Sequence, residues 1–262
     1  SQKLYTREII ESVGMMEAYS APTPMCSASE LRPASEGEPA MADGAKYRSL
    51  VGGLMYLSVC TRPDIAFAVG ALARFMSAPT EAHWQAAKRV VRYLRGTMEY
   101  GVVFGSGKES LSGYADSDWA GDLRSRKSTT GFVFTYCGGA VSWASRLQKT
   151  VALSSVEAEY MAASDATKKA VWLRRLFHEF GNEMSSVRMF GDNQGALKLV
   201  GNEQVSRRTK HIDVRYHFVR CMSALGQISF AYLPTKEMVA DVLTKALPVG
   251  PFVQMRMQMG VK

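Results

Sequence analysis

The chain has 262 residues, a hydrophobic fraction of 47% and a formal net charge of +8 at pH 7. That length suits one large domain, or one domain with an attached helical part, and so much apolar material excludes wholesale disorder. The basic excess favours a polyanionic partner without naming one.

The four cysteines, Cys26, Cys60, Cys137 and Cys221, lie far apart with no C-x-x-C pair. This spacing gives neither a zinc site nor a compact disulfide framework, and a reduced intracellular setting is the expectation. Ser1 to Ile10 carries charges in place of the apolar core of a signal peptide. Arg, Asp or Glu interrupts the longest apolar stretches before membrane-spanning length, so no membrane association is expected.

Tyr5 to Met16 reads as a short amphipathic helix stopped by Ala21-Pro22-Thr23-Pro24, and the Ala-, Ser-, Pro-, Glu- and Gly-rich stretch up to Ala45 reads as an extended linker. Helices are predicted over Tyr47 to Cys60, Asp64 to Met76 and Thr80 to Leu94, with Arg62-Pro63 as the first break. The third alternates Trp84, Ala87, Val90, Val91 and Leu94 with Lys88, Arg89, Arg92 and Arg95. Its cationic face suits nucleic acid, but a solvated surface explains it at least as readily.

After Gly101 the period changes to two. Leu111 to Asp116, Gly131 to Tyr136 and Ala140 to Ala144 read as antiparallel strands. A long helix follows over Ser155 to Phe180, then a buried strand over Val187 to Phe190. Ala196 to Val200 and His211 to Leu225 are predicted helices, Ile228 to Leu233 a strand, and Glu237 to Lys245 a final helix. Hairpin strands followed by crossover strands imply an α/β fold, a mixed sheet with helices packed on it.

Four acids could converge from separate elements. Asp116 ends the first strand, Glu159 lies in the first turns of the long helix, Asp192 follows the buried strand, and Asp241 lies in the final helix. Such a cluster repels itself unless it binds hard cations, and two Mg²⁺ ions about 3.5–4 Å apart are the usual arrangement for phosphodiester hydrolysis. Taken singly, each acid has a plainer reading: Asp116 as a turn residue, Asp192 as a helix cap, Glu159 and Asp241 as surface acids.

The segments Gly113-Tyr-Ala-Asp-Ser-Asp-Trp-Ala-Gly-Asp122, Ser128-Thr-Thr-Gly-Phe132, Val141-Ser-Trp143 and Leu153-Ser-Ser-Val-Glu-Ala-Glu-Tyr160 resemble the ribonuclease H of copia-type (Pseudoviridae-like) LTR-retrotransposon Pol polyproteins. So do Asp192-Asn193, Thr209-Lys-His-Ile-Asp213 and Ala240-Asp-Val-Leu-Thr-Lys245. Upstream, Tyr47-Arg-Ser-Leu-Val-Gly-Gly-Leu-Met-Tyr56 and Thr61-Arg-Pro-Asp-Ile65 resemble the connector between reverse transcriptase and ribonuclease H in the same polyproteins, and Tyr5 to Met25 the trailing edge of the polymerase.

The resemblance implies a ribonuclease H-like mixed five-stranded sheet with flanking helices, preceded by a helical connector. It divides the chain into a polymerase remnant and linker (1–45), a connector (46–104), a ribonuclease H domain (105–248) and a C-terminal tail (249–262). It implies a metal-dependent endoribonuclease that cuts the RNA strand of RNA/DNA hybrids during reverse transcription, with Asp116, Glu159, Asp192 and Asp241 as the metal-binding catalytic set. Two Mg²⁺ ions, replaceable by Mn²⁺, are the implied cofactors. The hybrid and the reverse transcriptase domain of the same polyprotein are the implied partners, and a cytoplasmic retrotransposon particle, or the nucleus, the implied location. The alternative is an inactive or domesticated hybrid-binding module of the same fold.

Glu157 competes with Glu159 for the helix ligand. Ser154-Ser155-Val156-Glu157 fits a capping box in which Glu157 reaches back to the Ser154 N–H. Two residues apart on a helix, the acids point about 200° apart, so they cannot share one site, and Glu159 is left as the ligand. Asp118 either binds metal or orients its turn. Arg207, Arg208, Lys210 and His211 form a cluster suited to phosphate, with a structural role for His211 equally open. His83 and His178 read as surface residues, and Trp119, Trp143 and Trp172 as core.

Overall fold

A computed structural model of the chain describes residues 1–26, 31–34, 39–105, 109–182, 184–201 and 213–262. Its helical part comprises α1 (Lys3–Ser12), α2 (Gly44–Cys60), a 3₁₀ turn at Pro63–Ile65, α3 (Ala66–Ala73) and α4 (Glu81–Gly96). Asp43 starts α2 by accepting the Lys46 N–H at 3.0 Å. The helix expected over Asp64 to Met76 is shorter, because Pro63 opens a 3₁₀ turn and α3 ends at Ala73.

The sheet is built from β1 (Ser112–Ser117), β2 (Thr129–Tyr136), β3 (Gly139–Leu147), β4 (Val187–Gly191) and β5 (Ile228–Tyr232), in the order β3-β2-β1-β4-β5. β1–β2 and β2–β3 are antiparallel, while β1–β4 and β4–β5 are parallel. With α5 (Ser155–Glu179), α6 (Gln194–Gly201) and α7 (Asp213–Ala224), this is the expected mixed five-stranded sheet with flanking helices.

Alternation along β2 divides the core. Phe132 and Phe134 pack with Tyr160, Ala166 and Leu173 of α5, whereas Val133 belongs to the apolar cluster of the helical part. The same cluster takes in Tyr47, Leu54, Leu72, Val91 and Leu94 together with Val239, Val242 and Leu243. The connector is therefore packed on one face of the sheet and α5 on the other.

Two elements differ from the sequence expectation. The final helix over Glu237 to Lys245 is instead two 3₁₀ turns, Thr235–Glu237 and Val239–Leu243, around an extended Met238. Met238, Val239, Ala240, Val242 and Leu243 are all buried. No single helical stripe could bury them together, so packing prevails over helix propensity. The region expected as a tail carries α8 (Val249–Gln258), whose Phe252 and Met255 enter the connector core along with Met259 and Val261. Gly250-Pro251 looks like a breaker, but proline is tolerated in a first helical turn. Gly101 and Lys262 then exchange backbone hydrogen bonds of 3.2 Å, closing the C-terminus onto the chain entering the sheet. Among the described residues no helix is long and apolar enough to cross a membrane.

Candidate active site

Strand register places the first two carboxylates. β1 and β4 run parallel with Tyr114 opposite Phe190, so Asp116 and Asp192, each two residues further, leave neighbouring strands at the same end. The C-terminal end of parallel strands is where open α/β sheets hold their ligands. α5 packs across β1 and brings Glu159 to the same place, and one ligand atom from each of Asp116, Glu159 and Asp192 lies within 4.8 Å of the others. Asp241 comes from the second 3₁₀ turn beside them. Its Oδ2 pairs with Lys245 Nζ at 3.0 Å, while its buried Oδ1 has no hydrogen-bond partner. Gly131 permits that approach, since a Cβ there would lie 2.6 Å from Thr244 Cγ2 and 3.1 Å from the Ala240 carbonyl oxygen.

The electrostatics are those of a crowded anionic site. Burial, then the charges of Asp116 and Asp192, push Glu159 up to about 10. Burial and Asp116 push Asp241 up to about 7 against the opposing pull of Lys245. Burial works against the Lys245 ammonium, but Asp116, Asp241 and Asp192 outweigh it and hold the ammonium above its ordinary value. Two hydroxyls fix the strand-end acids: Thr244 Oγ1 donates to Asp116 Oδ2, and Thr235 Oγ1 to Asp192 Oδ2 at 2.6 Å. Asn193, not Asp192, caps α6, accepting the Ala196 N–H at 3.0 Å. Asp192 thus has no capping role to compete with metal binding.

The spare acids are accounted for. Ser154 Oγ accepts the Glu157 N–H at 3.2 Å, as the capping motif predicts. The Glu157 carboxylate, however, reaches the Leu153 N–H at 3.0 Å, one residue before the expected Ser154. Glu157→Ala should therefore cost about 1 kcal/mol in urea-unfolding free energy without slowing the chemical step. A slowed single-turnover rate in that variant would place Glu157 in the site. Asp118 orients the turn after β1, with its carboxylate accepting the Thr129 and Gly121 N–H groups. Burial pushes it up to about 6 against those bonds and Arg74. Glycine at 121 leaves room for that carboxylate, since a Cβ there would displace Asp118 Oδ2.

These residues lie in a chain with close curated relatives. It is 43% identical to a Retrovirus-related Pol polyprotein from transposon TNT 1-94 of Nicotiana tabacum, over 96% of this chain and 19% of that one. It is 36% identical to a Retrovirus-related Pol polyprotein from transposon RE2 of Arabidopsis thaliana, over 100% of this chain and 18% of that one. The chain belongs to the Pol polyproteins of copia-type retrotransposons. It spans about a fifth of the length of these relatives, 19% and 18%. No protein-family model matches it. Among solved structures, the N-terminal RNase H domain of rv2228c from Mycobacterium tuberculosis aligns with 52% of this chain and 91% of that one, at 14% identity and a TM-score of 0.40.

In this Pol segment the expected phosphate cluster of Arg207, Arg208, Lys210 and His211 lies outside the described residues. Three other expectations are corrected. His83 is fully buried: its Nδ1 accepts the Thr80 N–H at 2.9 Å in the capping box of α4, and its ring stacks on Phe75 at 4.0 Å. Trp119 and Trp172 are not core residues but 58% and 51% exposed. Trp143 is half-buried, and its indole donates to the Ser58 carbonyl at 2.6 Å.

Sequence reasoning missed Thr235, Thr244, Lys245 and Arg74 as residues of the site. Thr244 and Lys245 carried a signal, standing in the Ala240 to Lys245 motif. Arg74 carried none, since it comes from the connector to donate to Asp122 Oδ1 at 3.0 Å and Thr129 Oγ1 at 3.3 Å.

Proposed function

We propose that this segment is a metal-dependent ribonuclease H that hydrolyses the RNA strand of RNA/DNA hybrids during reverse transcription. The observation supporting it most directly is the convergence of Asp116, Glu159 and Asp192 within 4.8 Å at the end of parallel strands, with Asp241 beside them. An all-oxygen donor set suits a hard cation such as Mg²⁺ or Mn²⁺. The fit is supported by an unpartnered buried oxygen on Asp241 and by a Glu159 carboxyl that burial, Asp116 and Asp192 push up to about 10.

Asp116, Glu159, Asp192 and Asp241 would hold two such ions. When bound, they supply Lewis-acid stabilisation of the phosphate and activation of the attacking water. The protein's own part is orientation. Thr244 and Thr235 fix the two strand-end carboxylates, α5 carries Glu159 between them, and Lys245 keeps Asp241 drawn in. Hybrid selection would rest on groove shape and 2′-hydroxyl contacts, giving little sequence preference. The polymerase part of the same polyprotein is the proposed partner, and the cytoplasmic particle or nucleus the proposed setting.

The test is cleavage of an RNA-labelled hybrid beside DNA duplex and RNA duplex controls. Cutting of the hybrid RNA with Mg²⁺ or Mn²⁺, stopped by EDTA, is the expected result. A folded protein that cuts no hybrid with either metal would overturn the proposal.

A further inference from the structure

Resting on that reading, we propose that the loop joining β1 to β2 is a strand-binding subsite for the hybrid, with Trp119 as its apolar contact and Arg124, Arg126 and Lys127 as its phosphate contacts. The loop begins at Asp118, two residues beyond Asp116. A cavity of about 230 Å³ runs from Asp118 and Gly121 to Thr244 and Lys245, the residues that hold Asp116 and Asp241. The loop therefore shares a cavity with Thr244 and Lys245, the residues that hold two of the carboxylates.

Its surface combines two kinds of group. Trp119 is 58% exposed and Leu123 52%, although burial is the usual fate of such side chains. Arg124 and Arg126 are exposed and Lys127 half-exposed, and none has an ion-pair partner among the described residues. The two acids of the loop are already engaged. Asp118 accepts backbone N–H groups, and Asp122 pairs with Arg74 at 3.0 Å and accepts the Ser125 N–H at 2.9 Å. What the loop exposes is thus an indole and three cations that have no ion-pair partner among the described residues. That is the composition of a nucleic-acid strand contact, in which aromatic faces meet bases or sugars and cations meet phosphates. An apolar protein surface would leave those three cations desolvated and unpaired, which disfavours it as the occupant.

The loop is also held in shape before any ligand arrives. Asp122 and Lys127 are joined by a backbone hydrogen bond of 3.1 Å, and the Arg126 N–H reaches the Asp122 carbonyl at 2.7 Å. The Ala120 N–H donates to Ser128 Oγ at 3.0 Å. Ala120 and Arg126 sit at φ of 55° and 56°, a region non-glycine residues occupy only where their surroundings enforce it. Arg74 anchors the whole loop to the connector, so little ordering entropy remains to be lost on binding.

The experiment measures hybrid affinity of the whole chain in EDTA across a salt series for wild type, Trp119→Ala and an Arg124→Ala/Arg126→Ala/Lys127→Ala triple variant, each checked by thermal melting. The triple variant should flatten the slope of log K against log salt by up to about 0.9 per lost phosphate contact. Trp119→Ala should weaken binding about tenfold with the slope unchanged. Hybrid should quench tryptophan fluorescence in wild type, and less so in Trp119→Phe, which keeps the loop filled. Affinity, slope and quench all unchanged in folded variants would overturn the subsite, even if the wild type cuts hybrid normally. Loss of binding in the variants of a wild type that cuts nothing would sustain the subsite and refute the ribonuclease reading instead.

Discussion

Glu159→Gln is expected to abolish hybrid cleavage and, in the same preparation, to raise the stability of the metal-free protein at pH 8. Burial and the neighbouring Asp116 and Asp192 lift this carboxyl from 4.5 to about 10. Between those values the folded chain keeps a proton that the unfolded chain releases. Stability therefore falls as pH rises through that window, because the unfolded state binds fewer protons than the native one. Glutamine keeps the shape and hydrogen-bonding capacity of the protonated acid but has nothing to ionise. The gain at pH 8 should be roughly 1–3 kcal/mol, the usual range for relieving an uncompensated buried polar group.

At pH 5 the two proteins should melt close together. Asp241, lifted to about 7 by burial and Asp116, leaves a residual decline with pH in both. Mg²⁺ should restore the wild type at pH 8 by binding the native state, and do so much less for the variant. Melting curves in EDTA and in Mg²⁺ at the two pH values give all four comparisons. A Gln variant that is less stable than wild type at pH 8 in EDTA would mean that Glu159 is a satisfied structural acid, and the metal-ligand assignment would fall with it.

What could be read from sequence follows the locality of each interaction. Asp116 and Asp192 were legible because residues at the end of a strand stay at the sheet edge whatever packs around them, one just before the end of β1 and one just after β4, and their pairing needs only parallel register. Glu159 followed from the cap at Ser154, which fixes the helix phase within one turn. Asp241's place beside the other acids was legible through its motif, but its conformation was not. Its 3₁₀ turn results from burying Met238 to Leu243 between β2 and the connector, a contact that no local pattern reports. α8 was not expected, because the resemblance set residues 249–262 down as a tail, and its burial of Phe252 and Met255 in the helical part is a long-range contact. Trp119 was misread from residue type alone, although its neighbours Asp118, Gly121 and Asp122 mark a turn, and it is exposed. His83 shows the reverse error. Its charged neighbours suggest a surface, yet its ring serves as the N-cap partner of Thr80 and stacks on Phe75.

Asp64→Ala is expected to cost about 3–5 kcal/mol of stability, the range for removing one partner of a buried ion pair. The Asp64 and Arg62 side chains are 0% and 1% exposed. Arg62 Nε donates to Asp64 Oδ1 at 2.9 Å and NH2 to Oδ2 at 2.7 Å, a two-pronged pair. The remaining donors reach the Thr97 carbonyl and hydroxyl at 2.9 and 2.7 Å, and Tyr93 donates to Asp64 Oδ2 at 2.6 Å. The guanidinium also lies over the Tyr93 ring at 5.5 Å, and Arg256 of α8 lies over Tyr100 at 4.7 Å. One network thus joins the break after α2 to the end of α4, with α8 alongside. Losing Asp64 would strand a guanidinium whose donors have no route to water. That penalty, more than the lost attraction, sets the cost. It follows that Arg62→Met with Asp64→Leu should be milder than Asp64→Ala alone, since neither charge is then left buried. Because Val133 and Leu243 share the connector's apolar core, the damage should appear in a single urea transition that includes the five-stranded sheet. A cost below about 1 kcal/mol for Asp64→Ala, or a separate early transition that leaves hybrid cleavage intact, would show that the connector is a detachable linker and not part of the same folding unit as the sheet.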